Sequence, residues 1–503
     1  MVTILTSTSN KSQVEEIIKS IERLHELVNI NSFLDNTPEI LYDIKVSENM
    51  LYTKADWLDA EPPYVFPEVE FCSDNLLALV FFKLNNHLKA LEYTSKDGLL
   101  AFHIMISSSI KQGFEIDLNM AQEFLSPHNE CIVRHYGNCT TSTSFDALKN
   151  LYLSALINYK DVDSKAFTIK HYCNLLFEVG NYAEAEEFIR STLYENHLTH
   201  ISSICLKNSL ATAMMSQLQY PFNEEKIDTI LDLYDECLSF YESINDSINT
   251  GLCYVNASEV ASYKNDYVSS KNYINKAILI FKKEEIFELL GEANLRKANL
   301  LYNWSKNGSP QYYKPAINAY QDTLKIFKRD THPEQFADIH HNLALIYSEI
   351  PVSLEEKPMW TAFCASSFKE VLAIYKKETH PYQFAMASHN YATALMGFPE
   401  AKLHNNTDKA YGLFGDALSI RTAINYPFER ALTLVNQLEL MWLMHNETEI
   451  EETENYELML QKANEIKTLV TDEKLVATAN EHIEALENLK SVLTKNARDI
   501  DSK

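Results

Sequence analysis

The chain has 503 residues, more than a single globular core usually holds, so it must form several domains or an elongated stack. Only 10 glycines and 14 prolines are present, and this scarcity of turn residues excludes an all-β protein and favours long helices. The formal charge of −26 argues against a surface for nucleic acid or anionic membranes along the whole protein, because such a surface needs clustered lysine and arginine.

The cysteines and the amino terminus predict the compartment. The eight cysteines include no CxxC pair, which favours reduced thiols over a disulfide framework. The first residues, MVTILTSTSN, lack the basic and apolar regions of a signal peptide, and the longest apolar run, 76–82, is too short to span a membrane. We therefore expect a cytoplasmic protein without membrane segments.

Residues 1–150 are predicted to form an amino-terminal helical region with degenerate repeats. Residues 12–28 space their apolar side chains along one face of a helix. From about 29 to 75 this period is lost, and closely spaced prolines such as Pro62 and Pro63 exclude a helix interior. We interpret residues 29–75 as an irregular cap packed over the first helices or, alternatively, as an arm that docks on a groove or a partner.

A helix–turn–helix pattern is clear near residue 180. The stretch LLFEVGNYAEAEEFI contains Gly180, then Tyr182, then Ala185, so that a small residue allows close helix contact and a tyrosine fills the space beside it. This stretch resembles the tetratricopeptide repeat. The resemblance implies antiparallel helix pairs, each of which buries its remaining apolar face against its neighbours.

A longer pattern repeats in the second half of the sequence. His332-Pro333 and the following QFA and HN recur 48 residues later from His380-Pro381 onward, and a looser copy surrounds Pro427. A period of this length indicates stacked helical units. The HPxxFA pattern followed by HN resembles the kinesin-light-chain type of tetratricopeptide repeat.

Together these patterns predict an all-α fold, a right-handed superhelical solenoid of antiparallel helix pairs. Residues 1–150 would be the amino-terminal region, 151–445 the tetratricopeptide-like solenoid, and 446–503 an acidic loop with capping helices. A polar terminal helix suits a solenoid, whose last apolar face must be covered.

Polar residues recur at one position of the predicted first helices. Aligned registers place there Asn256, Lys297, Asn342, Asn390 and Asn436, and immediately before three of them Arg296, His341 and His389. The resemblance implies that this position faces the groove, where an amide binds the backbone of an extended peptide because it both donates and accepts hydrogen bonds. The alternative is that these side chains bond to neighbouring repeats. Lys297 with Arg296, or Lys170 with His171, could bind a carboxylate.

The sequence predicts no catalytic residue, no metal and no cofactor. His128, Cys131, His135 and Cys139 are spaced like ligands, but on one helix they would span about 16 Å, so at most two neighbours could reach the same ion. The histidines of the second half lack a complementary nucleophile at a recognisable spacing. Phosphate-loop, dinucleotide and hydrolase motifs are absent from the sequence.

The predicted function is therefore that of a non-catalytic scaffold or adaptor, which binds a peptide segment or a partner protein in its concave groove. Neither nucleic acid nor a membrane is expected as a partner. Two other hypotheses remain. One is a regulatory sensor that binds a peptide or small ligand and changes its superhelical pitch. The other is an enzyme activity hidden in residues 1–150.

Overall fold

The computed structural model describes residues 1–32, 42–94, 98–118, 122–157, 159–195, 197–399, 405–444 and 448–501. The protein divides into two compact units, Met1–Asp266 and Tyr267–Lys503. The region boundaries predicted near residues 150 and 445 stay predictions. None of the helices in the described ranges has the length and apolar character needed to cross a membrane.

The first unit begins with a five-stranded sheet. Its strands are β1 (Val2–Thr6), β2 (Val28–Ser32), β3 (Ile44–Ser47), β4 (Met50–Thr53) and β5 (Val69–Glu70). The strand order is β2-β1-β3-β4-β5. β1 is parallel to both β2 and β3, whereas β4 is antiparallel to both β3 and β5.

Burial explains the central place of β1. Val2, Ile4 and Leu5 are all buried, so both faces of this strand are covered, as parallel strands require. A crossover must connect two parallel neighbours, and the segment that holds α1 (Lys11–Lys19) leads from β1 to β2. Val14 is one of the α1 side chains that join the core of the sheet. The sheet and its helices therefore share one core.

Helices make up most of the first unit. They are α1, α2 (Ser73–Lys83), α3 (His87–Tyr93), α4 (Gly98–Gln112), α5 (Pro127–Tyr136), α6 (Phe145–Ala155), α7 (Val162–Glu178), α8 (Tyr182–Leu193), α9 (His200–Ser216), α10 (Glu224–Ser243) and α11 (Ser247–Tyr263). β6 (Glu115–Ile116) and β7 (Asn138–Cys139) form a short parallel pair. From α5 onward, consecutive helices pack on each other, and α5, α7, α9 and α11 also pack side by side.

Three helix–helix turns in this unit have the same construction. A residue with positive φ ends the first helix, and the next residue is the amino-terminal cap of the second helix. The positive-φ residues are Asn85, Gly180 and Asn245, and the caps are Asn86, Asn181 and Asp246. Each cap side chain accepts a hydrogen bond from the backbone N–H three residues later. These short turns fold successive helices back on each other as antiparallel pairs.

Helices, joined by turns and loops, form all the regular secondary structure in the described residues of the second unit. Its helices are α12 (Tyr267–Lys283), α13 (Phe287–Lys306), α14 (Tyr313–Thr323), α15 (Pro333–Glu349), α16 (Lys357–Ile374), α17 (Pro381–Met396), α18 (Asn406–Ile420), α19 (Pro427–Met441), α20 (Glu449–Leu469) and α21 (Glu473–Asp501). Consecutive helices pack in pairs, and α15, α17 and α19 pack side by side. α20 and α21 share a core with α19. The capping role predicted for these two helices stays a prediction.

The repeated prolines fix where three of these helices begin. Pro333, Pro381 and Pro427 are the first residues of α15, α17 and α19. Proline suits this position because the first N–H of a helix has no acceptor within the helix. The structure thus confirms a tetratricopeptide-like fold of helix pairs, with the period that the sequence predicted.

The amino-terminal sheet was not predicted. The segment predicted to be irregular, residues 29–75, contains β3, β4 and β5, and most of β2. The helix predicted over residues 12–28 ends at Lys19, because Val28 already begins β2 beside β1. These strands have two to five residues each, which is too short for a clear alternating pattern, and pairing across the sheet stabilises them.

Candidate functional site

The predicted amide positions fall on adjacent helices of the second unit. Asn342, Asn390 and Asn436 lie on α15, α17 and α19, and all three are half-buried. Because these helices pack side by side, the three amides occupy equivalent places on neighbouring helices. We call these three residues the amide ladder.

Two ladder amides contact the neighbouring helix. Asn390 Nδ2 donates a hydrogen bond to His341 Nε2 at 2.8 Å, and Asn436 Nδ2 donates one to Thr393 Oγ1 at 3.0 Å. The first bond connects α17 to α15 and the second connects α19 to α17. Each bond uses one of the two N–H groups of its amide. These contacts match the alternative interpretation, in which the asparagines bond to neighbouring repeats, and the predicted role in peptide binding stays a prediction.

One ladder residue also faces open space. Asn390 and Thr393 line a cavity of about 580 Å³ together with Tyr347, Trp360 and Lys357. The rings of Tyr347 and Trp360 lie 5.6 Å apart. Aromatic walls with a few polar groups are typical of sites that bind side chains or small ligands.

The remaining predicted residues have different surroundings. Arg296 is exposed and Lys297 is half-buried on α13, where burial and the positive charge of Lys271 lower the pKa of Lys297. Burial, aided by the positive charge of Arg421, lowers the pKa of His389 to about 4. Asn256 lies half-buried on α11 and belongs to the first unit.

A second site, which was not predicted from the sequence, lies in the first unit. The connection between β4 and β5, residues 54–68, leaves the sheet and crosses the helices before it returns. We call it the inserted loop. It contains Trp57 and the proline pair of the segment predicted to be irregular, and its contacts come from α2, α4, α5, α7, α9 and α11.

The most specific contact is made by Asn129 on α5. Its Oδ1 accepts a hydrogen bond from the backbone N–H of Val65 at 3.0 Å, and its Nδ2 donates one to the backbone carbonyl of the same residue at 2.7 Å. Asn129 is only 2% exposed, so both bonds are shielded from water. One amide side group thereby binds both backbone polar groups of one residue, which is how an amide would hold any extended peptide.

Two further polar contacts hold the middle of the inserted loop. The Lys170 ammonium on α7 forms an ion pair with the Asp59 carboxylate. Asn249 Nδ2 on α11 donates a hydrogen bond to the backbone carbonyl of Leu58 at 3.2 Å. The sequence marks Lys170 as able to bind a carboxylate, and the protein itself supplies this carboxylate.

Trp57 fixes the amino-terminal side of the inserted loop. Its ring meets the Phe167 ring edge-on at 5.0 Å, and its backbone carbonyl accepts a hydrogen bond from the Cys205 thiol at 3.3 Å. Trp57 is 5% exposed. From Trp57 toward Val65, the contacts move from α9 and α11 to α5, so the inserted loop runs against the order of the helices.

His128 fixes the proline pair of the inserted loop. Its Nε2 lies 3.0 Å from the backbone oxygen of Pro63, and its Nδ1 lies 2.9 Å from Thr168 Oγ1. Burial lowers the pKa of His128 to about 4, so the ring is neutral near pH 7. A neutral ring can donate from Nε2 to the carbonyl and accept at Nδ1.

A cavity of about 790 Å³ flanks the inserted loop. The loop contributes Trp57 and Phe66 to its lining, while α7 contributes Phe167, and polar groups such as His128 and Asp161 lie among the rings. The volume and the aromatic lining are within the range of small-molecule sites.

The four residues that are spaced like metal ligands in and after α5 contact other protein groups or are buried apart. His128 bonds to Thr168 and Pro63, and His135 lies beside Tyr152 and Glu178. Cys131 is buried, and the Cys139 thiol donates to a backbone oxygen at 3.2 Å. Over the described ranges, no group of three or more histidine, cysteine, aspartate or glutamate residues is placed to hold a metal ion.

Solved structures of tetratricopeptide-repeat and other helical-repeat proteins are similar to this protein. One is a signal-transduction ATPase with numerous domains from Pyrococcus horikoshii, which carries a tetratricopeptide-repeat sensor. It is 15% identical with a TM-score of 0.49, and the match covers 80% of the present sequence but only 55% of that protein. The present sequence thus spans little more than half of that protein.

Two other similar structures are covered over most of their length. Human IFIT1, solved as a dimer with PPP-AAAA, is 13% identical with a TM-score of 0.38, and the match covers 83% of the present sequence and 90% of that protein. Yeast Tom70 is 12% identical with a TM-score of 0.23, and the match covers 86% of the present sequence and 96% of that protein. No protein-family model and no curated protein matches the sequence.

Proposed function

We propose that the protein is a non-catalytic scaffold or adaptor that binds an extended peptide segment of another protein against the first helices of its helix pairs. One observation supports this proposal most directly: Asn129 binds the backbone N–H and carbonyl of Val65, so a helix of the first unit already holds a loop segment by its backbone. Backbone recognition of this kind gives affinity without requiring a particular side chain.

The amide ladder supports an equivalent site in the second unit. Its residues are also asparagines on helices that pack side by side, and Asn390 faces a cavity with aromatic walls. The amide oxygen and the second N–H of a ladder residue could bind the partner while the first N–H keeps its bond to the neighbouring helix. The two interpretations of the ladder are then compatible.

Charge and sequence pattern support the finer assignments. An excess of 26 acidic charges favours a protein partner over nucleic acid or an anionic membrane. The HPxxFA and HN residues support the kinesin-light-chain type for the repeats of α15 and α17. Eight cysteines without a disulfide support a cytoplasmic location.

A triple variant tests the ladder. Asn342, Asn390 and Asn436 are each changed to Ala, and proteins captured from the native host lysate are compared by mass spectrometry with those captured by the parent. The matched control changes to Ala three exposed asparagines on α12, α14 and α20, namely Asn272, Asn318 and Asn464. We expect a partner that the parent and the control retain and the ladder variant loses. Equal capture by all three proteins would contradict the proposal for this surface.

The 790 Å³ cavity favours a second candidate, a sensor for a small ligand. Anilinonaphthalene sulfonate serves as the probe. Leu99 is exposed at the cavity, so Leu99→Glu should weaken saturable probe binding, whereas Met105→Glu, at an exposed position of the same helix outside the cavity, should not. Equal probe binding by both variants would exclude the cavity as the site.

A further inference from the structure

The inserted loop is held like a ligand while the sheet holds its two ends. β4 and β5 pair directly, with Leu51 opposite Val69, so the sheet is complete without the residues between them. Those residues cross α5, α7, α9 and α11 and then return. A connection between neighbouring antiparallel strands needs only a few residues. The additional residues of this connection allow it to contact the helices.

The inserted loop has two parts with different burial. Tyr64 and Phe66 belong to the core that the sheet shares with α2 and α4. Residues 58–63 are half-exposed or exposed, and polar contacts from α5, α7 and α11 hold them. Lys83 at the end of α2 adds an ion pair with Glu61 at 2.6 Å. Residues 58–63 therefore open at low free energy, whereas release of residues 55–57 also removes the buried Trp57 ring from Phe167, a contact that the ring of a partner would replace.

We propose that residues 55–63 of the inserted loop occupy a binding site for another protein, and that the partner is an acidic, proline-containing segment with an aromatic residue shortly before its acid. This inference rests on the proposed function and names the partner of the first unit. The partner replaces residues 55–63 on α5, α7, α9 and α11, so the protein is closed to it until this part of the loop leaves.

The helix residues define the partner's chemistry. The Lys170 side chain is 6% exposed, whereas that of Asp59 is 58% exposed. The site therefore pairs a buried cation with a carboxylate that is largely exposed to solvent. A buried cation without a counter-ion is strongly unfavourable, which selects an acidic residue at this point. Phe167 selects a ring, and Asn249 binds the backbone between them.

The prolines define the partner's backbone. His128 and Asn129 contact the backbone at Pro63 and Val65, and the N–H of Tyr64 between them donates to the carbonyl of Pro62 at 2.6 Å, so the segment turns tightly at this point. Proline fixes φ and lacks an N–H, so a proline pair restricts the backbone in advance and brings no donor that would need a partner. Such a segment loses less conformational entropy on binding.

The test uses a fluorescent peptide with the sequence KADWLDAEPPYV, residues 54–65 of the protein. Two full-length variants open the site. In the first, Trp57→Ala and Asp59→Asn remove the anchors but leave Tyr64 and Phe66. In the second, residues 57–62 are replaced by glycine and serine, so the loop keeps its length. Hydrogen exchange is used to check that residues 55–63 are open in each variant. Circular dichroism is used to check that the helix content equals that of the parent.

We expect the peptide to bind at least one variant at least tenfold more tightly than the parent. Adding Lys170→Gln to that variant should reduce the affinity at least fivefold. A control peptide, in which the tryptophan and the aspartate after leucine are both changed to alanine, should bind the variant no more tightly than the original peptide binds the parent. The inference would be overturned if the peptide binds neither variant, or if its affinity does not change when Lys170 is replaced.

This outcome is separable from that of the proposed function. If the ladder variant loses its partner but the peptide binds neither loop variant, the inference fails and the proposed function stands. If the peptide binds as expected but capture is the same for ladder and control variants, the first unit keeps its site and the ladder is removed from the proposal.

Discussion

Asn390 Nδ2 lies 2.8 Å from His341 Nε2, so two residues that the repeat pattern places in successive copies touch each other across α15 and α17. The amide can only donate from this atom, and the imidazole nitrogen must therefore accept. Burial lowers the pKa of His341 to about 4, which keeps the ring neutral near pH 7. The contact thus depends on the protonation state of a buried histidine.

Acid should weaken the second unit through His341. The unfolded histidine gains its proton near pH 6.5 and the folded one only near pH 4, so the free energy of unfolding falls as the pH drops between these values. Between pH 6.5 and 5 the loss should be about 1.6 kcal/mol. His341→Gln keeps an acceptor for Asn390 and removes this titration, so its urea midpoint should fall less over the same interval.

The control for that prediction is His25→Gln, at an exposed position of the first unit. This variant should reproduce the pH dependence of the parent. A parent and a His341→Gln variant with the same pH dependence would show that the buried imidazole does not contribute to it.

Gly291 allows a close contact between α13 and the turn after α14. A Cβ at this position would lie 2.7 Å from Cζ and 2.9 Å from Cε2 of Phe327, whose ring is buried. Gly291→Ala gains up to about 1 kcal/mol of helix propensity but overpacks the contact by about 1 to 3 kcal/mol. We expect a net loss of thermal stability, measured as a lower midpoint of thermal unfolding.

A double-mutant cycle checks the origin of that loss. Phe327→Leu removes the ring atoms that the new Cβ would meet, so Gly291→Ala should be less destabilising, or stabilising, in the Phe327→Leu background. Independent effects of the two substitutions would mean that the clash is not the cause.

Removing the Asn129 amide should loosen the inserted loop. Asn129→Ala leaves the N–H and carbonyl of Val65 without their partner, at a position shielded from water. Losing two such bonds should lower the free energy of unfolding by about 2 to 4 kcal/mol. Amide exchange near residue 65 should accelerate, as measured by mass spectrometry. Asn272→Ala, at an exposed site of α12, should change the stability by less than about 0.5 kcal/mol.

The repeats could be predicted because their information is local. The HPxxFA pattern marks helix starts at Pro333 and Pro381, and the positions of their buried alanines follow from the same period. The final helices were predicted at 453–470 and 473–495, and the structure has them at Glu449–Leu469 and Glu473–Asp501. A period that recurs along the sequence constrains each copy more than a single segment would.

The amino-terminal sheet could not be predicted because its information is not local. β1 and β3 pair although forty residues separate Ile4 from Ile44, and β5 has only two residues. A strand of that length has no measurable alternation, and the residues of β1 could equally have been part of a helix. The strands that pair with β1 decide that these residues form a strand and not a helix.

For the same reason, the sequence predicted the amide ladder but not the site of the inserted loop. The ladder could be read from the repeat, since its members share one helix position. The inserted loop could not, because Asn129, Lys170 and Asn249 follow no common spacing and contact a segment that precedes them by 64 to 191 residues. The only signals were a lysine beside a histidine and a proline pair with a tryptophan.

The sequence separation between Leu58 and Asn249 also affects how the protein is synthesised. They are 191 residues apart, and a ribosome adds about 5 to 20 residues per second, so Leu58 is made roughly 10 to 40 s before its partner. Throughout that interval the nascent polypeptide displays the acidic, proline-containing segment without the helices that later receive it. The first unit can reach its final form only once α11 has left the ribosome, so the order of synthesis makes the closing of this loop a late event.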